Sequence, residues 1–387
     1  MVKSRYSFSM YHLILLWVNY ICIFFFSIFV KNIVMKPSLF GQKYSSRDYT
    51  NPDCWGKNQF NSSFPASLVA YMYSKGLDPV YIKTTSDNKI VHRYISGEQL
   101  FGINPLGDEA FYNYEAGFAP YEVYYQGERE KIDLVMLNHN NTNKIYSGLE
   151  VKLTALPDNT TKSLSEEEWG TEIVMRPPTI CFLACSICAN YDSLKGKERL
   201  RTFLRQVPQI NHWEEPEEVL NNYSRILKAI LDISSDMTRK QKPLIIQPIW
   251  KTEGCKMRLQ DNCLDVFVWS NLSIIQMCCT DKNDNLNKIN RFNRTIIWLY
   301  KMLLDYVMYD SFDYKRIIRL QSYNLANDKA FALSGTKSHG FLAGPELLKP
   351  RVTKYEIKNI ILGGGQDLLS PERRFDAVIV NSPDLFE

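Results

Sequence analysis

The sequence KIDLVMLNHNNTNKIYSGLEVKLTALPD occupies residues 131–158 and carries the pattern from which the architecture can be inferred. Two runs of strand-forming residues, 131–137 and 144–153, flank the turn-rich segment NHNNTN. Runs of this kind on either side of a short polar break predict a β-hairpin. Both runs are apolar on successive residues rather than on alternate ones, which is typical of strands that are buried on both faces.

Three charged residues interrupt these apolar runs: Asp133 in the first, and Glu150 and Lys152 in the second. Residues two apart in a strand point to the same face, so Glu150 and Lys152 project together, and the hairpin can bring Asp133 beside Glu150. Charged side chains are kept out of buried strands unless they are paired or bind a metal. The alternative is a surface hairpin with a structural Glu–Lys ion pair on its solvated face.

The chemistry of these three residues suits metal-dependent hydrolysis of a phosphodiester. Two carboxylates at one strand end form an oxygen-rich site of the kind that Mg²⁺ prefers, together with waters and phosphate oxygens. A neighbouring lysine can help to activate the attacking water or offset negative charge in the transition state. The spacing D-x(16)-E-x-K alone is a weak signal.

The pattern resembles the PD-(D/E)xK nuclease superfamily, although Ile132 stands where the superfamily usually has proline. Residues 35–72, which include WGKNQFNSSFP, and residues 131–158 are similar to the HindVP-type restriction endonucleases, and the similarity runs through most of the chain from Met35. The resemblance implies a type II enzyme that cuts double-stranded DNA at a short palindrome, GRCGYC. It further implies that Asp133 and Glu150 bind Mg²⁺ and that Lys152 helps to activate the water.

The resemblance also implies partners. A palindromic target favours a homodimer with one active site for each strand, and a cognate DNA methyltransferase is expected in the same restriction-modification system. Two alternatives stay open. One is another PD-(D/E)xK nuclease, of the repair or structure-selective type. The other is a non-catalytic DNA-binding or membrane-tethered protein.

In the superfamily, a glutamate from the helix before the first site strand often joins the metal site. Residues 108–117 predict a short helix that ends at Gly117, and residues 120–126 predict a strand. Glu115 lies in the first segment and Glu122 in the second. Glu115 has the better position to reach the metal, although a surface glutamate is an equally good interpretation of either residue.

Side chains that could contact DNA occur in two segments. Base edges are read by arginine, lysine, asparagine and glutamine, and phosphates are held by arginine and lysine. One of the two segments is a loop that contains Lys337, Ser338 and His339, and the other lies near the N-terminus. A solvated loop or helix cap is the alternative for both segments. The candidates near the N-terminus are Arg47, Lys57, Asn58, Gln59 and Asn61.

A competing motif is the spacing Cys181-x₃-Cys185-x₂-Cys188, which radical S-adenosylmethionine enzymes use to hold a 4Fe–4S cluster. The same spacing describes one face of a helix, and free cysteine behaves as a small buried hydrophobe. Residues 178–191 predict a buried helix, so the sequence favours the structural interpretation. The chain has nine cysteines without the spacing of a small secreted domain, which indicates a reducing compartment.

The N-terminus contains an uncharged stretch, residues 11–30, with Lys3 and Arg5 before it and Lys31 after it. This composition is typical of a membrane span or signal anchor. The alternative, which we favour, is that residues 1–34 are upstream sequence absent from a cytoplasmic protein that starts at Met35. Residues 35–387 would then form the endonuclease, with a catalytic core at about 105–275 and a helical or irregular part at about 285–387.

The remaining pattern predicts an α/β fold: a mixed sheet, flanked by helices, with the PD-(D/E)xK core of restriction endonucleases. A helix is expected from Ser62 or Ser63 to Gly76, and further helices over 216–233 and 290–309. Predicted strands cover residues 79–84, 89–95, 243–250, 263–271 and 375–381.

Overall fold

A nine-stranded mixed sheet forms the centre of the protein. The computed structural model describes residues 57–156, 172–253, 258–279, 288–333, 341–342 and 349–357. The strands are β1 (Val80–Thr84), β2 (Ile90–Tyr94), β3 (Ala110–Gly117), β4 (Lys131–Asn138), β5 (Ile145–Val151), β6 (Thr154–Leu156), β7 (Ile173–Met175), β8 (Pro243–Thr252), β9 (Leu259–Ser270), β10 (Phe331–Leu333) and β11 (Val352–Thr353). The helices are α1 (Lys57–Ser74), α2 (Gly97–Phe101), α3 (Ala119–Glu122), α4 (Pro177–Asn190), α5 (Leu194–Leu204), α6 (Pro216–Asp236), α7 (Asn271–Cys279), α8 (Arg291–Tyr309) and α9 (Tyr314–Leu320).

The strand order of the large sheet is β2-β1-β9-β8-β5-β4-β3, with β6 added beside β8 and β11 beside β9. The β1–β9, β5–β8 and β6–β8 pairs are parallel, and the other pairs of this sheet are antiparallel. Strands β7 and β10 form a separate antiparallel pair. The predicted mixed sheet is confirmed.

The sheet separates two hydrophobic layers. In β8, Ile245 and Ile249 pack into the layer that contains α4, α6, α7 and α8. Ile246 and Trp250, on the opposite face of the same strand, pack into the layer that contains α1 and α2. Because both faces of the central strands are covered, these strands are apolar on successive residues.

The predicted hairpin is formed by β4 and β5, which pair antiparallel from Leu134–Leu149 to Leu137–Ile145. Gly148 allows the Phe118 ring to pack directly on β5, because a Cβ at this position would lie 2.8 Å from that ring. The parallel pairing of β5 with β8 then joins the hairpin to the buried centre of the sheet.

Most predicted helices are confirmed, with shifted ends. Helix α1 starts at Lys57 rather than at Ser62 or Ser63 and contains Pro65. Helix α4 covers the predicted buried helix, and α6 begins with acidic residues in its first turn. Helix α8 is capped by Asn290, whose side chain accepts from the Asn293 amide.

Two predictions next to the hairpin are wrong. Residues 110–117 form β3 rather than a helix, and residues 119–122 form α3 where a strand was predicted. Alternate residues of β3 face the α1 side of the sheet, where Tyr112 is buried. Pairing along the length of β4 therefore outweighs the weak local helix signal.

The predicted strand over residues 375–381 lies outside the described residues, as does the whole segment 1–56. Within the described ranges, no helix combines the length and apolar character needed to cross a membrane. The apolar stretch at residues 11–30 lies outside these ranges.

Candidate active site

The hairpin brings Asp133 and Glu150 together, as the sequence predicts. Leu134 pairs with Leu149 across the two strands, so Asp133 and Glu150 are opposite each other one step further along the ladder. The amide N–H of Val151 donates to Oδ2 of Asp133 over 2.8 Å. On its other side, Glu150 pairs with Ile245 of the buried strand β8. Pairing on both sides of β5 therefore fixes the main chain that carries Glu150 relative to Asp133.

Lys152 follows β5 directly and completes the group. Its Nζ lies 2.8 Å from Oε1 of Glu150, and both side chains are largely buried, with 14% and 11% of their surface exposed. Its main-chain N–H donates to the Ile246 carbonyl over 3.0 Å, which continues the alignment with β8. The predicted projection of Glu150 and Lys152 to one face is confirmed.

The sequence analysis singled out neither Thr179, which contacts this group directly, nor Gln247, which contacts Thr154 two residues after Lys152. The hydroxyl of Thr179, at the start of α4, donates to Oε1 of Glu150 over 3.1 Å. On β8, the buried Gln247 donates to the Thr154 hydroxyl over 2.9 Å and accepts from the Trp269 indole over 2.6 Å. Gln247 could have been noticed as a polar residue in the apolar run PLIIQPIW, whereas Thr179 carries no such signal.

The electrostatics of the site disfavour the charged form of Asp133. Burial raises the pKa of Asp133 to about 7, and the neighbouring charge of Glu150 contributes in the same direction. The Lys152 ammonium and the Val151 N–H act in the opposite direction, while Glu115 raises the pKa further. Without a cation, the protein therefore holds a proton on Asp133 much more firmly than an exposed aspartate would.

Glu115 is close enough to influence Asp133, but it lies in a strand and not in the predicted helix. The pairing of β3 with β4 runs through Tyr114–Leu134 and Ala116–Ile132 and skips Glu115, which is opposite Asp133. Glu115 has a φ of 48°, a left-handed conformation that is strained for a residue with a side chain. This irregularity places a third carboxylate beside the hairpin.

Glu122 is engaged elsewhere. Its Oε2 lies 3.2 Å from Nε of Arg129, and its Oε1 is 2.6 Å from where a Cβ on Gly117 would lie. It belongs to α3 rather than to the predicted strand. Of the two alternatives for a third carboxylate, Glu115 is therefore the one whose charge acts on Asp133.

The donor set fits Mg²⁺ in chemistry and number. Mg²⁺ is usually held by one or two protein carboxylates, with waters and phosphate oxygens in its other positions. Asp133 and Glu150 supply two carboxylates, and Oε2 of Glu150 takes no part in the contacts with Lys152 and Thr179. In the part of the chain that the structure describes, no three His, Cys, Asp or Glu side chains form a group that could by itself hold a metal ion.

The three cysteines of the competing motif lie on α4, and Cys181, Cys185 and Cys188 are fully buried in the core. Burial raises the pKa of each thiol, so the thiolates needed for an iron–sulfur cluster are disfavoured. The interpretation of this spacing as one face of a buried helix is confirmed.

The structure describes only some of the residues predicted to contact DNA. Arg47 and the loop with Lys337, Ser338 and His339 lie outside the described residues. The other four candidates occupy the first turns of α1, so their main chain is helical and not a loop. These four residues are Lys57, Asn58, Gln59 and Asn61.

Comparison with known proteins identifies the family. The model of the HindVP restriction endonuclease family matches residues 55–386. The chain is 41% identical over 354 residues to the type II restriction enzyme HgiDI of Herpetosiphon aurantiacus, an alignment covering 91% of this chain and 98% of that protein. It is also 41% identical over 356 residues to the probable type II restriction enzyme HindVP of Haemophilus influenzae, covering 91% and 96%. No solved structure matches.

The fold and the comparisons agree with the resemblance drawn from the hairpin and the WGKNQFNSSFP segment. The family match covers most of the chain, and the alignments cover nearly the whole length of both relatives. The chain belongs to the HindVP restriction endonuclease family and is a type II restriction enzyme, that is, a site-specific deoxyribonuclease.

Proposed function

We propose that this enzyme cuts double-stranded DNA at GRCGYC in a Mg²⁺-dependent reaction catalysed by Asp133, Glu150 and Lys152. The observation that carries the proposal is the convergence of these three side chains at the end of a buried hairpin in a restriction endonuclease. A purely structural ion pair is usually solvated, whereas here two largely buried carboxylates share one lysine, an arrangement that is costly unless a cation offsets the second negative charge.

In the proposed mechanism, a bound Mg²⁺ would supply positive charge to offset the charge of the scissile phosphate and the negative charge that develops in the transition state. Asp133 and Glu150 would hold the ion, with Glu115 as a further candidate ligand. A cation held there would favour the ionised form of Asp133, whose burial otherwise favours the protonated form. Lys152, held against Glu150, helps to orient or deprotonate the attacking water and offsets charge in the transition state.

For recognition, we propose that the first turns of α1 and the segment before it contact the DNA. The support is chemical: lysine, asparagine and glutamine side chains read base edges, and arginine holds phosphates. The residues concerned are Arg47, Lys57, Asn58, Gln59 and Asn61.

We also propose a homodimer acting in the cytoplasm beside a cognate DNA methyltransferase. A palindromic site presents the same sequence to two copies related by a two-fold axis, and each copy would cut one strand. The methyltransferase would protect the cell's own copies of the site.

A matched pair of plasmids tests the proposed function. One plasmid carries several GRCGYC sites, and the other carries the same sequence with each site altered by a single base. With Mg²⁺, discrete fragments that map to the sites are expected from the first plasmid only, and EDTA should abolish them. Discrete fragments at other positions would exclude GRCGYC, and unspecific or junction-directed cutting would favour a repair-type nuclease. Failure of the folded protein to cut either plasmid would overturn the proposal.

A further inference from the structure

We propose that Thr179 is a positioning residue for the cleavage reaction: its hydroxyl holds Oε1 of Glu150 and thereby keeps Oε2 available to Mg²⁺. This inference rests on the proposed function, because it assigns Thr179 a part in the same site. Thr179 contacts neither DNA nor the ion in the proposal and acts only through the Glu150 carboxylate.

Two donors converge on the same oxygen of Glu150. Nζ of Lys152 lies 2.8 Å from Oε1, and Oγ1 of Thr179 lies 3.1 Å from it. Lys152 comes from the chain just after β5, whereas Thr179 comes from α4. Donors from two separate elements restrict rotation of the carboxylate more than either could alone.

The start of α4 is built so that its side chain, and not its main chain, reaches Glu150. Pro177 and Pro178 have no N–H to donate. The N–H groups of Thr179 and Ile180 both donate to the Arg176 carbonyl, over 3.0 and 3.3 Å. The Thr179 hydroxyl is therefore the group that this helix end directs to the carboxylate.

The environment of Thr179 makes the contact persistent. Thr179 and Ile180 are fully buried, and the helix that carries them is packed into the main hydrophobic layer. A buried hydroxyl has no water with which to exchange its hydrogen bond, so donation to Glu150 is strongly favoured.

The second donor matters most when Lys152 is needed by the substrate. A lysine carries its ammonium on a flexible four-carbon chain and can turn from Glu150 toward the water or the phosphate. If Lys152 were the only donor, that movement would release the Glu150 carboxylate from its orientation. Thr179 keeps Oε1 hydrogen-bonded while Lys152 acts, so Oε2 stays directed to the ion.

The test compares Thr179→Val, which keeps the shape and removes the hydroxyl, with Thr179→Ser, which keeps the hydroxyl. Two quantities are measured: binding of Mn²⁺ to the DNA-free protein, from the EPR signal of free Mn²⁺, and the Mg²⁺ dependence of single-turnover cleavage. We expect Thr179→Val to weaken Mn²⁺ binding and to slow cleavage at low Mg²⁺ by roughly tenfold each, the factor typical of one lost hydrogen bond to a charged group. Thr179→Ser should remain close to the parent protein in both measurements.

Thr295→Val is the matched control. Thr295 is also fully buried in a helix, but its hydroxyl donates to the Arg291 carbonyl over 2.8 Å, with the Ala330 carbonyl 3.3 Å away. This variant should lose some thermal stability while it keeps the parent's Mn²⁺ affinity and Mg²⁺ dependence. Should Thr179→Val not fold, Thr179→Ala replaces it with the same expected result.

Unchanged Mn²⁺ binding and Mg²⁺ dependence in the hydroxyl-free variant would overturn the proposal. Equal impairment of that variant and Thr179→Ser would also overturn it, because packing of the methyl group and not the hydroxyl would then be responsible. If the parent protein itself neither binds Mn²⁺ nor cuts DNA, the proposed function fails, and this outcome is distinct from a failure confined to Thr179.

Discussion

At the scale of single residues, the buried carboxylate of Asp133 lowers the stability of the metal-free protein. Its folded-state pKa is raised to about 7, whereas an exposed aspartate in the unfolded chain titrates near 3.8. The native state therefore binds the proton more tightly than the unfolded state. Between about pH 4 and pH 7 the native state loses stability through this group as the pH rises, and above pH 7 the full cost is present.

Asp133→Asn should therefore stabilise the metal-free protein. The amide oxygen can still accept from Val151, and no buried charge remains. We expect a gain in the free energy of unfolding of about 1–2 kcal/mol at pH 8 that shrinks toward zero near pH 4. Urea unfolding in EDTA at several pH values measures it. A gain of the same size at pH 4.5 and pH 8 would contradict the assignment of the cost to Asp133 ionisation.

The residues of the site could be predicted to different extents. Asp133, Glu150 and Lys152 share one hairpin, so their spacing and the strand period of two were sufficient to bring them together. Thr179 reaches the site from an element that follows in the chain, and its position depends on tertiary packing that sequence spacing does not show. Glu115 was expected near Asp133 for the wrong reason, because its segment is a strand.

At the scale of elements, α4 carries Thr179, which contacts Glu150, and packs its apolar residues into the hydrophobic core. Cys185→Ala should lower the free energy of unfolding by about 1–2 kcal/mol, because it leaves a small cavity in the core. Cleavage by the folded variant should be unchanged, and the parent protein should contain no iron. The urea midpoint and the cleavage rate check this. Lost cleavage with unchanged stability would instead indicate a chemical role for the thiol.

The elements that the sequence analysis missed have recognisable physical causes. Helix α3 covers only residues 119–122 and has Pro120 in its first turn, where proline is well tolerated, whereas Tyr125 lies beyond the helix and forms an isolated bridge with Phe312. The strand prediction for residues 120–126 relied on the β propensity of the tyrosines, whereas Pro120 favours the start of a helix. Strand β3 is stabilised by pairing with β4 on one side, so its conformation depends on a partner and not on its own weak pattern.

At the scale of the whole molecule, the order of the strands in the sheet could not be predicted from the sequence. Strand β1 pairs in parallel with β9, from a distant part of the chain, and β5 pairs in parallel with β8. Such pairings depend on the total packing of the two hydrophobic layers. The composition and the buried strand patterns were nevertheless sufficient to predict a mixed sheet covered by helices.

One buried ion pair connects the C-terminal part of the described chain to the sheet. Arg351, next to β11, donates to both oxygens of Asp265 on β9 over 2.9 and 2.8 Å, and it also lies over the Tyr94 ring. Asp265 is 2% exposed, and its burial raises its pKa even though Arg351 acts in the opposite direction.

Arg351→Met should lower the free energy of unfolding by about 3 kcal/mol, because it leaves the Asp265 carboxylate buried without its partner. Arg199→Met is the matched control: Arg199 is 63% exposed in its ion pair with Asp236, and its loss should cost less than about 1 kcal/mol. Denaturant unfolding at neutral pH measures both. Equal small costs would show that the Arg351 pair does not stabilise the fold.

The most direct test of the whole account is single-turnover cleavage of a GRCGYC duplex by Glu150→Gln and Glu122→Gln. Both changes remove one carboxylate from the hairpin region, but Glu122 is paired with Arg129 and takes no part in the proposed chemistry. We expect Glu150→Gln to lose cleavage by at least about a hundredfold, with DNA binding in Ca²⁺ retained, while Glu122→Gln cuts at the parent's rate. Normal cleavage by Glu150→Gln would contradict the assignment of the active site to this hairpin.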